Sequence, residues 1–344
     1  MKNNINVNIK QIHKQQTENL QSSQLILEFD GPTVNCCLVN ALRRLCIDHI
    51  PTYAACEQSI TIDKNTSIYD NDYMRLRLSQ LTIPDLKIDI PYLEDKYWKN
   101  VDYGDPNRIK HPNDNDIIEL YVNVTNDGST NLNVTTNHAK LYINGETVNK
   151  FDEKFPLLLV QLKPDEIFSC RCVHVLGIGK LSNLWAGGNI FYEYEIENEN
   201  HITMTLESLG QLDEYELLHK ACIAMKEKVD LIRYKLKDFS TTEKHLSIEL
   251  WDEDSTMGEL INVYLQEHAL VQFAGVKKAN LLIDVMVITY TTTAKNPLEP
   301  FYEILDFVET LSDVLLDKFN KLGGEYIDFG SSGKKLKLKL KEKK

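Results

Sequence analysis

Two cysteines and a histidine lie close together at Cys170, Cys172 and His174, on one predicted strand. A cysteine beside a histidine could act as a nucleophilic pair, because the imidazole can accept the thiol proton. Such catalysis also needs a group that orients the base and donors that stabilise an oxyanion. The sequence supplies neither, so we predict that this chain has no catalytic residues, and a cysteine hydrolase is only a third interpretation of its function.

A glycine-rich segment with a lysine follows at Gly177, Gly179 and Lys180, and such a segment could bind a phosphate group. A Walker-type phosphate loop has a further glycine upstream and a serine or threonine directly after the lysine. His174 and Leu181 occupy those two positions here. The segment therefore favours a turn over a nucleotide site.

The charge of the chain indicates whether its partners are proteins or nucleic acids. Its net charge is −13, yet residues 334–344 carry seven lysines and one glutamate, which leaves about −19 on the rest. Surfaces that bind DNA gain most of their affinity when Lys and Arg neutralise phosphates. We therefore expect protein partners and no direct DNA binding.

No apolar run approaches the roughly 20 residues that cross a bilayer, so we expect no membrane insertion.

The elements that must position these residues occur in a repeated order: strand, acidic turn, helix, strand. In the first copy, the alternating strand 25–29 and the turn 30–33 precede a helix, for which Thr33 is the expected cap and Pro51 the end. Strand-like segments follow over 53–62. The helix has one apolar stripe with spacings of three and four, formed by Val34, Cys37, Leu38, Ala41, Leu42 and Leu45.

The second copy begins with the alternating strand 246–250 and the acidic turn 252–254. Thr256 and Glu259 then have the spacing of a capping box, which predicts the start of a helix. A strand over 281–291 completes the repeated order. The helix between them again has one apolar stripe, formed by Met257, Leu260, Ile261, Tyr264 and Leu265.

Each copy ends in a long helix with an apolar seam. In the first helix the steps alternate between four and three, as in a heptad repeat, over Leu218, Cys222, Met225, Val229, Ile232, Leu236 and Phe239. The second seam is similar but less regular, over Phe301, Ile304, Val308, Leu311, Leu315 and Leu322. Each seam could cover only its own sheet. We favour the alternative in which the seams pair, so that two similar units form a pseudo-symmetric dimer within one chain.

The predicted fold class is α+β, with two such pairing units and an inserted, mostly-β domain. The lysine-rich tail is predicted to be disordered, with a polyanion contact or a nuclear-import signal as the alternative. The predicted organisation is a polar leader at 1–20, a first unit at 21–84 and 177–238, the insert at 85–176, a linker at 239–244, a second unit at 245–322 and the tail at 323–344.

The segment Asn40-Ala41-Leu42-Arg43-Arg44 with Ile50-Pro51-Thr52 resembles the first helix of the bacterial RNA polymerase alpha subunit and of the third-largest subunit of RNA polymerase II. Further segments agree in order over 25–238: 73–78, 83–84, 159–163, 171–172, 177–180 with Trp185, 191–194 and 207–210. The second unit resembles the eleventh-largest subunit through 254–258, 273–275 and the closing helix over 298–322. A chain that carries both is similar to the fused subunits of large nucleocytoplasmic DNA viruses.

The resemblance implies a non-catalytic assembly platform that brings together the two largest subunits of a DNA-directed RNA polymerase. It implies a small subunit of the tenth- or twelfth-largest type as a further partner. It also implies an intracellular location, in the host cytoplasm or a viral factory, with packaging in the virion left open. The second-largest subunit would bind Asn40, Arg43 and Arg44. A loop facing the large subunits would comprise Gly177, Gly179, Lys180 and Trp185.

The sequence also departs from the family. The third-largest subunit has a four-cysteine zinc loop in its inserted domain, and some archaeal relatives have iron–sulfur cysteines there. Cys170 and Cys172 alone cannot complete a four-ligand site, so we predict no metal and no cofactor. Glu259 and Asn262 stand where relatives of the second unit tend to have Asn and Arg, which weighs against a partner contact through that helix.

Two interpretations stay open beside the polymerase hypothesis. From the residues alone, Arg43 and Arg44 fit solvated or locally paired surface arginines. The main alternative function is a stand-alone acidic scaffold that binds other proteins without any connection to a polymerase.

Overall fold

The computed structural model describes residues 5–16, 23–94, 97–98, 101–103, 114, 116–280 and 282–323. Helices make up 31% and strands 35% of the chain, which agrees with the predicted α+β class. The helices are α1 (Cys36–Arg44), α2 (Asn71–Ser79), α3 (Glu214–Lys235), α4 (Ser255–Gln266) and α5 (Glu299–Gly323). None of these described helices is long and apolar enough to cross a membrane.

The strands form four antiparallel sheets, and the first has the order β1-β2-β12-β11. The strands of the first half are β1 (Asn8–Gln16), β2 (Ser23–Asp30), β3 (Thr52–Ala54), β4 (Ile60–Asn65), β5 (Ile118–Thr125), β6 (Leu132–Thr135), β7 (Ala139–Ile143), β8 (Glu146–Val148), β9 (Leu158–Leu162) and β10 (Ile167–Gly177). The later strands are β11 (Gly188–Glu195), β12 (Asn198–Ser208), β13 (His245–Trp251), β14 (Val271–Lys278) and β15 (Val285–Thr292). Strand β1 lies within the predicted polar leader, of which residues 1–4 and 17–20 are outside the described residues.

The inserted domain is built around the long strand β10, which pairs with β5 on one edge and with β4 and β3 on the other. Strands β7 and β8 extend this sheet beyond β5, and β6 pairs with β9 separately. Strands β3 and β4 precede the predicted boundary at residue 85 but hydrogen-bond to β10, so the sheet of the insert also includes strands from before that boundary. Strand pairing over about a hundred residues leaves no local sequence pattern.

The caps of the two helices that follow the acidic turns each lie two residues away from the predicted caps. Helix α1 is capped by Asn35, whose side chain accepts from the Leu38 amide at 2.9 Å, whereas the Thr33 hydroxyl accepts from the Asn6 amide. Helix α4 is capped by Asp254, whose Oδ1 accepts from the Thr256 amide at 2.8 Å, so the predicted capping box is wrong. After α1 the chain makes one π-helical turn, Leu45–His49, and reaches Pro51.

The long helices α3 and α5 pack against each other, and α1 packs against α4. Polar contacts support the first pair: Arg233 lies 2.8 Å from Asp306 and 2.6 Å from Glu309, and the Tyr302 hydroxyl donates to the Leu236 carbonyl. The predicted seam residues are buried except the last of each seam: Phe239 is 40% exposed and Leu322 is half-buried. The two helices thereby close one continuous hydrophobic core that also includes residues of the four-stranded sheet.

Candidate protein-interaction site

A cleft of about 630 Å³ opens where the turn after α1, the loop after β10 and the start of α4 meet. Strands β14 and β15 form its remaining wall. Two groups of residues that the sequence assigned to partner binding, on α1 and on the loop after β10, therefore contribute to one cleft. Its lining comprises Arg44, Asp48, Gly179, Lys180, Asp254, Ser255, Glu259, Val276, Lys277, Lys278, Asp284 and Met286.

Arg44 lines the cleft and contacts three side chains. Its Nη2 lies 3.1 Å from Asp254 Oδ2, its Nη1 donates to Ser255 Oγ at 2.6 Å, and its Nε lies 3.4 Å from Asp48 Oδ2. The Arg44 side chain is 25% exposed and that of Asp254 is 13% exposed. The planar guanidinium thus fixes α1 to the start of α4 and still presents an edge to solvent.

Asp254 uses its two carboxylate oxygens for two different elements. Oδ1 caps α4, and Oδ2 accepts from Arg44. Burial alone would raise the pKa of Asp254, but the contacts with His49, Thr256 and Arg44 hold it well below its usual range. His49 is buried 3.9 Å from the same oxygen, and its burial lowers the pKa of the imidazole despite the nearby carboxylate. A neutral histidine therefore lies behind an ionised aspartate.

The loop after β10 forms the second side of the cleft. Lys180 Nζ lies 3.0 Å from Asp284 Oδ2, and the Lys180 amide donates to the Asp48 carbonyl at 3.0 Å. A Cβ atom on Gly179 would lie 2.0 Å from the Ile47 carbonyl oxygen, so only glycine allows this approach to the turn after α1. The predicted glycine-rich turn is thus held against the arginine-bearing helix.

Trp185 stands at the end of this loop but does not face the cleft. The indole is 3% exposed, donates to the Val175 carbonyl at 2.9 Å and stacks on the Tyr103 ring at a centroid distance of 5.0 Å. A Cβ on Gly177 would lie 2.4 Å from the same indole. Gly177 and Trp185 therefore support the loop from inside the chain, and the expectation that Trp185 faces a partner is wrong for its side chain.

Asn40 and Arg43 lie on α1 outside the cleft lining. The Nε and Nη2 atoms of Arg43 donate to Asn40 Oδ1 at 3.1 and 3.0 Å. This is the local pairing that the sequence left open for the arginines. Both side chains are half-buried, so the pair forms a polar surface beside the cleft.

A buried ion pair lies behind the cleft, and it was not predicted from the sequence. Lys228 Nζ on α3 lies 3.0 Å from Glu253 Oε2 in the turn before α4, and the two side chains are 2% and 3% exposed. Burial raises the pKa of Glu253, and Lys228 opposes that shift. The acidic turn is visible in the sequence, but its lysine partner on α3 is not.

The cysteines and histidine on β10 lack the features of a nucleophile. The interaction with Cys170 and burial both raise the pKa of the Cys172 thiol, and burial lowers the pKa of His174 to about 4. The thiol is therefore protonated and the imidazole is neutral near neutral pH. Among the described residues, no group of three or more histidine, cysteine or acidic side chains could hold a metal ion.

Comparison with known proteins relates this architecture to a family. Residues 28–229 match the RNA polymerase Rpb3/Rpb11 dimerisation domain, a range that extends from β2 to most of α3. A protein of Acanthamoeba polyphaga mimivirus, whose name describes a DNA-directed RNA polymerase subunit, is 27% identical over 318 residues, which covers 85% of this chain and 88% of the relative. This similarity supports a role as a polymerase subunit. The chain belongs to the family defined by the RNA polymerase Rpb3/Rpb11 dimerisation domain.

Proposed function

We propose that the chain is the non-catalytic assembly platform of a multisubunit DNA-directed RNA polymerase. In this proposal residues 21–238 correspond to the third-largest subunit with its insert, and 245–322 correspond to the eleventh-largest. The observation that carries the proposal is the convergence of Arg44 and Lys180 with Asp254 and Ser255 on one cleft. The second-largest subunit would dock there, and the largest subunit and a small subunit would bind elsewhere on the platform.

The packing of α3 on α5 and of α1 on α4 supports pairing of the two units within one chain. The Tyr264 hydroxyl on α4 donates to the Thr33 carbonyl before α1 at 3.0 Å, a further contact between the halves. A short linker that can span its ends gives an effective concentration in the mM range. Pairing would then be independent of how much of each half is made.

Cleavage of the linker should leave the halves associated, because the helix contacts and core between them do not depend on chain continuity. We expect a chain with a protease site in place of residues 240–243 to elute after cleavage as one species of the original size. Size-exclusion chromatography at micromolar concentration, with a denatured sample as the control for complete cleavage, measures this. Separate elution of the two fragments would contradict pairing.

Arg44→Ala should weaken capture of the second-largest subunit while the chain stays folded. Loss of a central hot-spot arginine from an interface costs about 2 kcal/mol or more, so we expect a fall in affinity of more than about tenfold. Lys180→Ala, on the opposite side of the cleft, should act in the same direction. Co-purification of the co-expressed subunit at moderate salt, followed by titration, provides the measurement.

Arg171→Ala is the matched control for this experiment. Arg171 pairs with Glu119 on the inserted sheet, away from the cleft, and its side chain is 48% exposed. Capture should match that of the unmodified chain. If all three variants bind equally well, the cleft is not the docking site, and the acidic scaffold becomes the better interpretation.

A further inference from the structure

Strand β11 is the outer strand of the four-stranded sheet, and one of its edges is open. Strand β12 pairs along the other edge, and no strand within the described ranges pairs with the outer one. Three large apolar side chains are exposed along it or just beyond: Phe191 at 49%, Tyr194 at 46% and Ile196 at 88%. Proteins usually cover or blunt such an edge, because its free amides and carbonyls can pair with another chain.

The open edge is also acidic. Glu193 and Glu195 on β11, Glu197 in the turn that follows and Glu199 at the start of β12 are all exposed, and none forms an ion pair with a residue that the structure describes. Two other outer strands have the opposite charge: β1 carries Lys10 and Lys14, and β14 carries Lys277 and Lys278. An occupant of the β11 edge should therefore be cationic.

The C-terminal segment has the matching pattern, although it lies outside the described residues. From residue 335 to 341 lysine and leucine alternate strictly. A period of two would place Leu336, Leu338 and Leu340 on one face of a strand and the lysines on the other.

We propose that residues 335–341 dock along the open edge of β11 as an additional strand. Tyr194 pairs with Ile202, which pairs with Phe29, so these side chains share the face of the sheet that is buried in the core. The leucines would extend this apolar face beside Tyr194. The lysines would then lie on the opposite face, beside Glu193 and the exposed ring of Phe191, which their aliphatic stems can cover. This proposal is independent of the polymerase function.

The end of α5 lies within reach of this edge. The Phe319 ring in its last turns lies 6.3 Å from the Phe29 ring on β2. Two strand spacings, roughly 10 Å, separate β2 from β11, and a strand added at the open edge would lie about 5 Å further away. The eleven residues from 324 to 334 can span up to roughly 35 Å. The segment can therefore reach β11 of its own chain.

Amide hydrogen exchange followed by mass spectrometry tests this docking. Peptides that cover 188–196 should exchange several-fold more slowly in the full chain than in a chain that ends at Gly323, whereas peptides from α3 should be unchanged. Equal exchange of the β11 peptides in the two chains would overturn the proposal.

Two variant sets separate strand pairing from attraction between charges. The Leu336→Ser/Leu338→Ser/Leu340→Ser chain keeps every charge, but its β11 peptides should exchange as fast as those of the truncated chain. If these peptides stay protected, the segment contacts β11 through its charges alone, and the proposed strand pairing is overturned. Glu193→Lys/Glu195→Lys should also lose protection, and adding Lys337→Glu/Lys339→Glu should restore it. Protection that grows with protein concentration would assign the edge to the tail of a second copy and overturn docking within one chain.

Discussion

Lys228→Met is expected to lower the free energy of unfolding by about 3–5 kcal/mol, because it leaves the Glu253 carboxylate buried without its cation. The pair is almost fully buried, and Lys228 Nζ also lies 5.9 Å from the centroid of the Tyr92 ring. Urea denaturation gives the value. The double replacement Lys228→Met/Glu253→Leu should recover most of the loss, since it removes both buried charges.

Lys226→Met is the matched control on the same helix. Lys226 pairs with Asp313 on α5, but its side chain is 34% exposed and that of Asp313 is 53% exposed. Exposed ion pairs contribute about 0–1 kcal/mol, so this variant should lose little stability. Similar losses in both lysine variants would contradict the importance of burial.

The loss in Lys228→Met should also depend on pH. The pKa of Glu253 is already raised by burial, and removal of the opposing lysine raises it further. An acid whose folded-state pKa is raised destabilises the fold increasingly as pH rises from its ordinary pKa, about 4.3 for a glutamate, towards the raised value, and the loss is complete above that value. The variant has the higher folded-state pKa of Glu253, so its loss of stability relative to the unmodified chain should be smallest in acid and grow as pH rises.

Leu311→Ala is expected to lower the free energy of unfolding by about 2–5 kcal/mol, because it opens a cavity in the seam of α5. Leu311 is fully buried, and α5 packs along α3 at this seam. The same denaturation measurement applies, and the midpoint should fall as one cooperative transition. A separate early transition confined to residues 245–322 would show that the seam does not join the two halves.

Leu76→Ala provides the control for the leucine substitution. Leu76 is also on a helix, α2, but it is 53% exposed. The change removes the same atoms without creating a buried cavity, so the loss should stay within about 0.5 kcal/mol. If Leu311→Ala costs no more than this control, the seam residues do not stabilise the fold.

The spacing of apolar residues along the sequence predicted which face of each helix is buried. The predicted seam residues are buried except Phe239 and Leu322 at the ends of the two seams, since the position of an apolar stripe follows from the helical period only while the helix continues and stays covered. Caps were less accurate: the true caps, Asn35 and Asp254, each lie two residues from the predicted Thr33 and Thr256. Several polar residues in a row can each cap a helix, and only the backbone conformation selects one.

The site could be predicted only in part. Arg44 and Lys180 were singled out through the family resemblance, and both line the cleft. Their partners Asp254 and Asp284 were not, because contacts across 210 and 104 positions depend on tertiary packing. Trp185 was placed on the correct loop with the wrong orientation. The sequence shows which loop contains Trp185, but the direction of its ring depends on the tertiary contacts that bury it.

The two roles of Asp254 have a consequence for how this protein can change over generations. Its carboxylate serves α4 through one oxygen and Arg44 through the other, so replacement of Asp254 alters both a helix start and a contact between halves, whereas replacement of Arg44 alters only the contact. Both positions lie on one polypeptide. A change at position 44 and its compensation at 254 are therefore inherited together in a single gene, whereas separate subunits would need two genes to vary in step.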